Sequence, residues 1–177
     1  EALRHAMRRR VRAHRSRALE ATALAVIAWL ALRTPMVGLW LVLVLASGLL
    51  ETVLSRRALA SANGWAHRHL VLAAQVLSAS LYSAIAALLL LKPTAVGLCG
   101  ACFILCAVSL ANALKSSSSR RSTWALVTPP AVGLVLAPLW VGFAGGAGMT
   151  PGDTLLMALG GVGYVAFIMG ASRTIVA

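Results

Sequence analysis

The chain has 177 residues, 60% hydrophobic and 11% charged, with a mean hydropathy of +0.87. A soluble domain of this length is nearer half apolar and a quarter charged, so a water-exposed globular fold is excluded and lipid is the expected solvent. Four acids, Glu1, Glu20, Glu51 and Asp153, face sixteen Lys and Arg, for a net charge of +12; the cations fall between apolar blocks and not across one surface, which argues against nucleic acid.

Residues 1–17 form a basic juxtamembrane segment with no signal-peptide pattern. The apolar blocks that follow predict an all-α polytopic membrane fold of six spans, over 18–32, 36–54, 70–91, 95–114, 124–144 and 154–171. A span needs about 17–25 mainly apolar residues, and only a helix satisfies its backbone in hydrocarbon. The first block reaches that length by starting near Ala18, which places Glu20 at its end. Arg33-Thr34-Pro35 makes a short hairpin, so the first two helices run antiparallel. Breaks follow at Ser61-Ala62-Asn63-Gly64, at Lys92-Pro93-Thr94, at the serine run 116–119, and across the glycine-rich residues 142–153. Pro129, Pro130 and Pro138 predict a fifth helix that is kinked or that starts after the proline pair. Residues 172–177 are expected to open a cytoplasmic signalling helix. A chain running from Glu1 to Ala177 in this way reads as a segment of a longer protein.

Orientation follows from the cations. Arg4, Arg8, Arg9, Arg10, Arg12, Arg15 and Arg17 precede the first span; Arg56, Arg57 and Arg68, then Lys115, Arg120 and Arg121, then Arg173 fall on connections of the same side. Only Arg33 and Lys92 fall opposite. Positive charge stays in the cytoplasm, so both ends are expected inside, in a bacterial inner membrane.

The candidate functional residues are few. Arg8, Arg9, Arg10, Arg12, Arg15, Arg17, Arg120 and Arg121 read as topology signals and contacts for anionic lipid headgroups; no aromatic interleaves them to stack a base. Glu20 and Glu51 fall at the cytoplasmic ends of neighbouring helices, facing each other or paired with Arg17, Arg56 or Arg57. No acid is then expected at mid-membrane. Asp153 is expected to N-cap the sixth helix. Gln75, Ser78 and Tyr82 share one face of the third helix, and Ser109 and Asn112 lie in the fourth; they read as interhelical hydrogen-bonding groups or ligand contacts. Cys99, Cys102 and Cys106 sit at i, i+3 and i+7 and read as polarizable packing residues, with redox sensing as the sharper alternative. Zinc needs four N or S ligands, and no histidine lies in another span. The five tryptophans, Trp29, Trp40, Trp65, Trp124 and Trp140, read as interfacial anchors. No nucleophile–base pair, acid dyad or metal-ligand spacing is present, so no catalytic, cofactor or metal residue is assigned.

Several stretches carry a resemblance: Arg8-Arg9-Arg10-Val11-Arg12-Ala13-His14-Arg15 leading to Leu19-Glu20, the hairpin Ala31-Leu32-Arg33-Thr34-Pro35, Leu98-Cys99-Gly100, Ser119-Arg120-Arg121-Ser122 before Pro129-Pro130, and Ala171-Ser172-Arg173-Thr174. With these the chain resembles the N-terminal six-helix membrane module of bacterial sensor histidine kinases, including hybrid ones of the alphaproteobacterial type. The resemblance implies a homodimer that passes a membrane or periplasmic signal to a cytoplasmic phosphotransfer output, with a response regulator or receiver domain as partner. ATP and Mg²⁺ would belong to that downstream kinase domain; no cofactor is expected in this segment. The competing reading is a small transporter or permease subunit, which calls for a mid-membrane polar cavity and an inverted repeat. Sensor modules of other outputs, such as a diguanylate cyclase, and a membrane-embedded enzyme of lipid chemistry are the remaining alternatives.

Overall fold

A computed structural model describes residues 14–60, 64–91, 94–115, 120–145 and 148–174. All regular structure among them is helical: α1 His14–Leu32, α2 Met36–Ala60, α3 Gly64–Leu89, α4 Ala95–Lys115, α5 Arg120–Phe143 and α6 Pro151–Thr174. Five stretches are long and apolar enough to cross a membrane, Met36–Ala58, His69–Leu89, Ala95–Leu114, Ser122–Phe143 and Pro151–Ala171. The helix α1 is not among them, because Arg15, Arg17 and Glu20 occupy its first two turns. Arg8, Arg9, Arg10 and Arg12 lie outside the described residues, as do the side chains of Arg15, Arg120 and Arg121.

Side chains are distributed as in a lipid-solvated bundle. Large apolar residues such as Ile27, Leu30, Phe103, Phe143, Leu156 and Phe167 point outward, while the buried stripe of α1 is Ala21, Ala25 and Ala28. Lipid tails are as apolar as Leu, so burial of large residues drives nothing in a bilayer; small residues let helices close on one another.

The chain divides into two compact units, Glu1–Tyr82 and Ser83–Ala177. In the first, α1 and α2 pack as a hairpin. Arg33 closes α1 in the left-handed region at φ 49°, its N–H donating to Trp29 O at 2.8 Å. This is the αL helix stop, here without the glycine that usually takes it.

In the second unit α5 packs against both α4 and α6. Leu98, Ala101 and Leu105 of α4 meet Leu134, Ala137 and Val141 of α5 in one buried cluster. The helix α5 neither starts after the proline pair nor stops there; it is helical from Arg120 through Pro129, Pro130 and Pro138. Each interior proline deprives the carbonyl four residues earlier of its donor, and a neighbouring helix supplies a new donor at one of them. Pro130 leaves Leu126 O, which accepts from Asn112 Nδ2 of α4 at 3.0 Å. Pro138 leaves Leu134 O, where α6 presents Gly161 so closely that a methyl group there would sit 3.1 Å from that oxygen. The Asn112 bond is the way a partner helix re-satisfies a proline-freed carbonyl in hydrocarbon; Gly161 gives only close packing. Asn112→Leu is therefore expected to cost about 1–3 kcal/mol, the penalty of an orphaned buried acceptor, in denaturant titrations of the protein in detergent micelles; an unchanged midpoint would mean the carbonyl finds another donor.

The start of α6 corrects one expectation. Asp153 is not the N-cap. Thr150 is, its Oγ1 accepting from Asp153 N–H at 3.2 Å, and Asp153 reaches back to accept from Thr150 N–H at 3.0 Å. The pair forms a capping box with Pro151 at the first helical position.

Candidate functional site

The polar residues of the first unit converge on α2. A 3.6-residue repeat puts Ser47, Glu51 and Ser55 on one face, and all three are buried. Arg17 of α1 donates from Nη1 to Glu51 Oε2 at 2.8 Å, with side-chain exposures of 17% and 3%. Tyr82 of α3 donates its hydroxyl to Arg17 O at 2.6 Å. Its ring packs edge-on against Trp40, centroids 6.3 Å apart at 82°, and Trp40 Nε1 donates to Leu81 O at 2.6 Å. These contacts fix α1, α2 and α3 in register. Trp40 is thus a buried linker between α2 and α3, not an interfacial anchor, whereas Trp29, Trp124 and Trp140 are exposed.

The helix holding Glu51 runs further than its expected end at residue 54. The helix α2 continues to Ala60, so at 1.5 Å per residue the carboxylate lies about 13 Å inside the end of the helix. It falls within the Met36–Ala58 stretch, which also holds Arg56 and Arg57. Glu20 is exposed, as are Arg56 and Arg57. Of the cations weighed for pairing, the geometry selects Arg17.

Beside the pair lies a small, partly open cleft with about 10 Å³ of space, room for one water, lined by Arg17, Val44, Leu45, Gly48, Ser78 and Tyr82. Ser78 is 5% exposed. Ser80 returns its hydroxyl to Val76 O and Ser47 to Val44 O. Gln75 is half-buried and takes part in none of these bonds. Ser55 Oγ, one turn beyond Glu51, is fully buried and has no partner among the described residues. Removing such a hydroxyl relieves a desolvation penalty, so Ser55→Ala is expected to stabilise the protein by about 1 kcal/mol; a loss in the same micelle titration would reveal a partner for it.

The cysteines fall in the second unit. Cys99 is exposed and Cys102 and Cys106 are half-buried, all as free thiols. Cys102 and Cys106 pack against the α4–α5 cluster, and Tyr164 of α6 donates to Cys106 O at 2.9 Å. Among the described residues no group of three or more His, Cys, Asp or Glu is placed to hold a metal ion. The chain matches no protein-family model, no curated protein and no solved structure.

The arrangement contains no nucleophile with a base. What it offers is a buried ion pair whose partners sit on different helices, a device better suited to fixing register than to adding stability. The Ser47, Glu51 and Ser55 repeat was readable in the sequence as polar positions at helical spacing within an apolar block. Nothing in the sequence announced that Gly48 and Ser78 would meet across a cleft.

Proposed function

We propose that the chain is a six-span membrane module, with both ends in the cytoplasm of a bacterial inner membrane, serving as the sensory and anchoring part of a histidine kinase. The observation that carries the topology is the Arg17–Glu51 pair. A lone Arg within α1 would be costly in lipid; with its charge met by Glu51, α1 becomes admissible as the sixth span. The partition of cations supports the orientation, since Arg56, Arg57, Arg120, Arg121 and Arg173 share a side with the N-terminal arginines and only Arg33 and Lys92 oppose them. The outer connections are short, which favours a stimulus received within or beside the bilayer and passed on by small helix shifts.

The signalling assignment rests on the resemblance carried by the arginine-rich opening, the Arg33-Thr34-Pro35 hairpin and the Arg120-Arg121 connection. Homodimerisation, a response-regulator partner and the use of ATP with Mg²⁺ come with it. Two measurements test the reading on the whole gene product in membrane vesicles. Single cysteines at Ser117 and Ser172, in a background free of native cysteines, are expected to react with impermeant reagents only from the cytoplasmic face. Labelled ATP is expected to leave an acid-labile, base-stable phosphoryl group. Labelling of position 117 from outside overturns the topology, and the lack of such a phosphoryl group overturns the kinase.

A second reading, a permease subunit, is favoured by the buried acid well inside α2. Uptake into proteoliposomes that is abolished by Glu51→Gln would establish it in place of the first.

A further inference from the structure

The helix α5 loses two successive rungs of its hydrogen-bond ladder, because Pro129 and Pro130 bring no N–H to Ala125 O and Leu126 O. Two side-chain bonds surround the gap. Asn112 Nδ2 of α4 donates to Leu126 O at 3.0 Å, and Thr128 Oγ1 donates back to Trp124 O at 2.7 Å. A Thr hydroxyl returned to the carbonyl four residues earlier often bends a helix, and sharp kinks fall at prolines. The segment from Arg120 to Thr128 is thus an arm, joined to the rest of α5 where the ladder is weakest and braced from α4. It is not a free end. Val127 is 1% exposed and packs in one buried cluster with Ala113 of α4 and with Ile168 and Met169 of α6. Those two residues lie in the last turns of α6, which ends at Thr174. A change of angle at the prolines therefore acts on the end of α6.

We propose that Pro129–Pro130 is a hinge latched by Asn112, through which the arm of α5 moves the end of α6. In the latched state Asn112 holds Leu126 O. On release the arm tilts away from α4 and draws Ile168 and Met169 with it through Val127. At 1.5 Å per residue the arm is about 13 Å long, so a tilt of about 25° carries its tip on the order of 5 Å. Hydrocarbon offers no water to replace the lost donor, which makes release a discrete step and not a gradual bend. The inference rests on the membrane part of the reading given above and is independent of the kinase assignment.

The test places pairs of spin labels on the protein in liposomes, in a background free of native cysteines. One pair is Phe103→Cys with Trp124→Cys, the other Phe103→Cys with Phe167→Cys; all three positions are exposed. Dipolar distances are the readout. Each pair is expected to give one main distance while Asn112 is present. Asn112→Leu is expected to lengthen the Phe103–Trp124 distance by about 3–5 Å, the swing of the arm, and to shift the Phe103–Phe167 distance by less. Pro129→Ala/Pro130→Ala returns both N–H groups to the ladder and is expected to abolish that shift when combined with Asn112→Leu. With Asn112 in place the same two changes are expected to narrow the Phe103–Trp124 distribution, which keeps the test decisive should Asn112→Leu not fold. Unmoved distances in Asn112→Leu, an arm that moves while Phe167 stays, or an unchanged width after both prolines are replaced would overturn the proposal. The label at Phe103 separates the two possible failures. If it collides with oxygen in preference to a water-soluble nickel chelate, it lies in lipid, and any of those results sinks the hinge alone. The reverse preference sinks the membrane reading beneath it.

Discussion

Replacing Arg17 by Met is expected to destabilise the protein by about 3–5 kcal/mol, the cost of removing one partner of a buried charge. The side chain of Glu51 is only 3% exposed, so its charge stays largely out of water when the guanidinium is gone. The reverse change is milder. Arg17 keeps 17% of its side chain exposed and sits within four residues of the start of α1, so in Glu51→Leu its long stem can carry the head toward water. The order Arg17→Met worse than Glu51→Leu is itself a test, read by denaturant titration in micelles. The double variant Arg17→Met/Glu51→Leu is expected to recover most of the loss, because well-packed apolar residues often replace a buried ion pair without net cost. If the double variant is as unstable as Arg17→Met alone, the pair is not what makes that residue important. Recovery of stability without recovery of signalling would separate the register function of the pair from its contribution to folding.

Helix existence was legible in the sequence for a simple reason: lipid admits only long apolar segments, and charged residues mark their ends. Depth was not. Uncharged residues 34–50 place Glu51 at a boundary when only charge is counted, yet α2 runs on through Arg56 and Arg57 to Ala60. A helix can carry these arginines past the apolar limit, because their side chains are exposed. The proline pair misled in a related way. Pro129 and Pro130 signal a break wherever freed carbonyls go unmet, and the donor that meets Leu126 O is Asn112, on another helix. Local sequence cannot show that partnership; Asn112 and Pro130 belong to one device that is written in two separate helices. The hairpin at Arg33 was placed correctly, but nothing predicted that a non-glycine residue would hold φ 49° there. Within the candidate site, Glu51 and Tyr82 stood out by residue type. Ser78 had drawn notice only as a polar face, and Gly48 none, since a cleft is made by what is missing from a side chain.

Four glycines of α6 provide the second large effect and a control within the same helix. A methyl group built on Gly161 meets backbone, Leu134 O at 3.1 Å and Leu134 C at 3.3 Å. Backbone atoms of a packed helix cannot swing aside as a side-chain end can, so α5 and α6 must separate. Gly161→Val is expected to cost about 1–3 kcal/mol or somewhat more, the range for forcing bulk into a tight contact, and to remove the close approach at the carbonyl freed by Pro138. At Gly160, Gly163 and Gly170 nothing lies within 4 Å of the added carbon. Alanine there removes backbone freedom from the unfolded chain and is expected to stabilise by roughly 0.5–1 kcal/mol. Opposite signs at adjacent positions 160 and 161 exclude a general intolerance of the helix to larger residues. Should Gly161→Val behave like Gly160→Ala, the two helices are not in the contact described. Restoration of Gly161→Val by Pro138→Ala would go further. Returning an N–H to residue 138 lets Leu134 O rejoin the ladder of its own helix, so α6 no longer has to come close. A partial rescue of that kind links the proline to the glycine as one packing unit, whereas strict additivity of the two changes makes them independent.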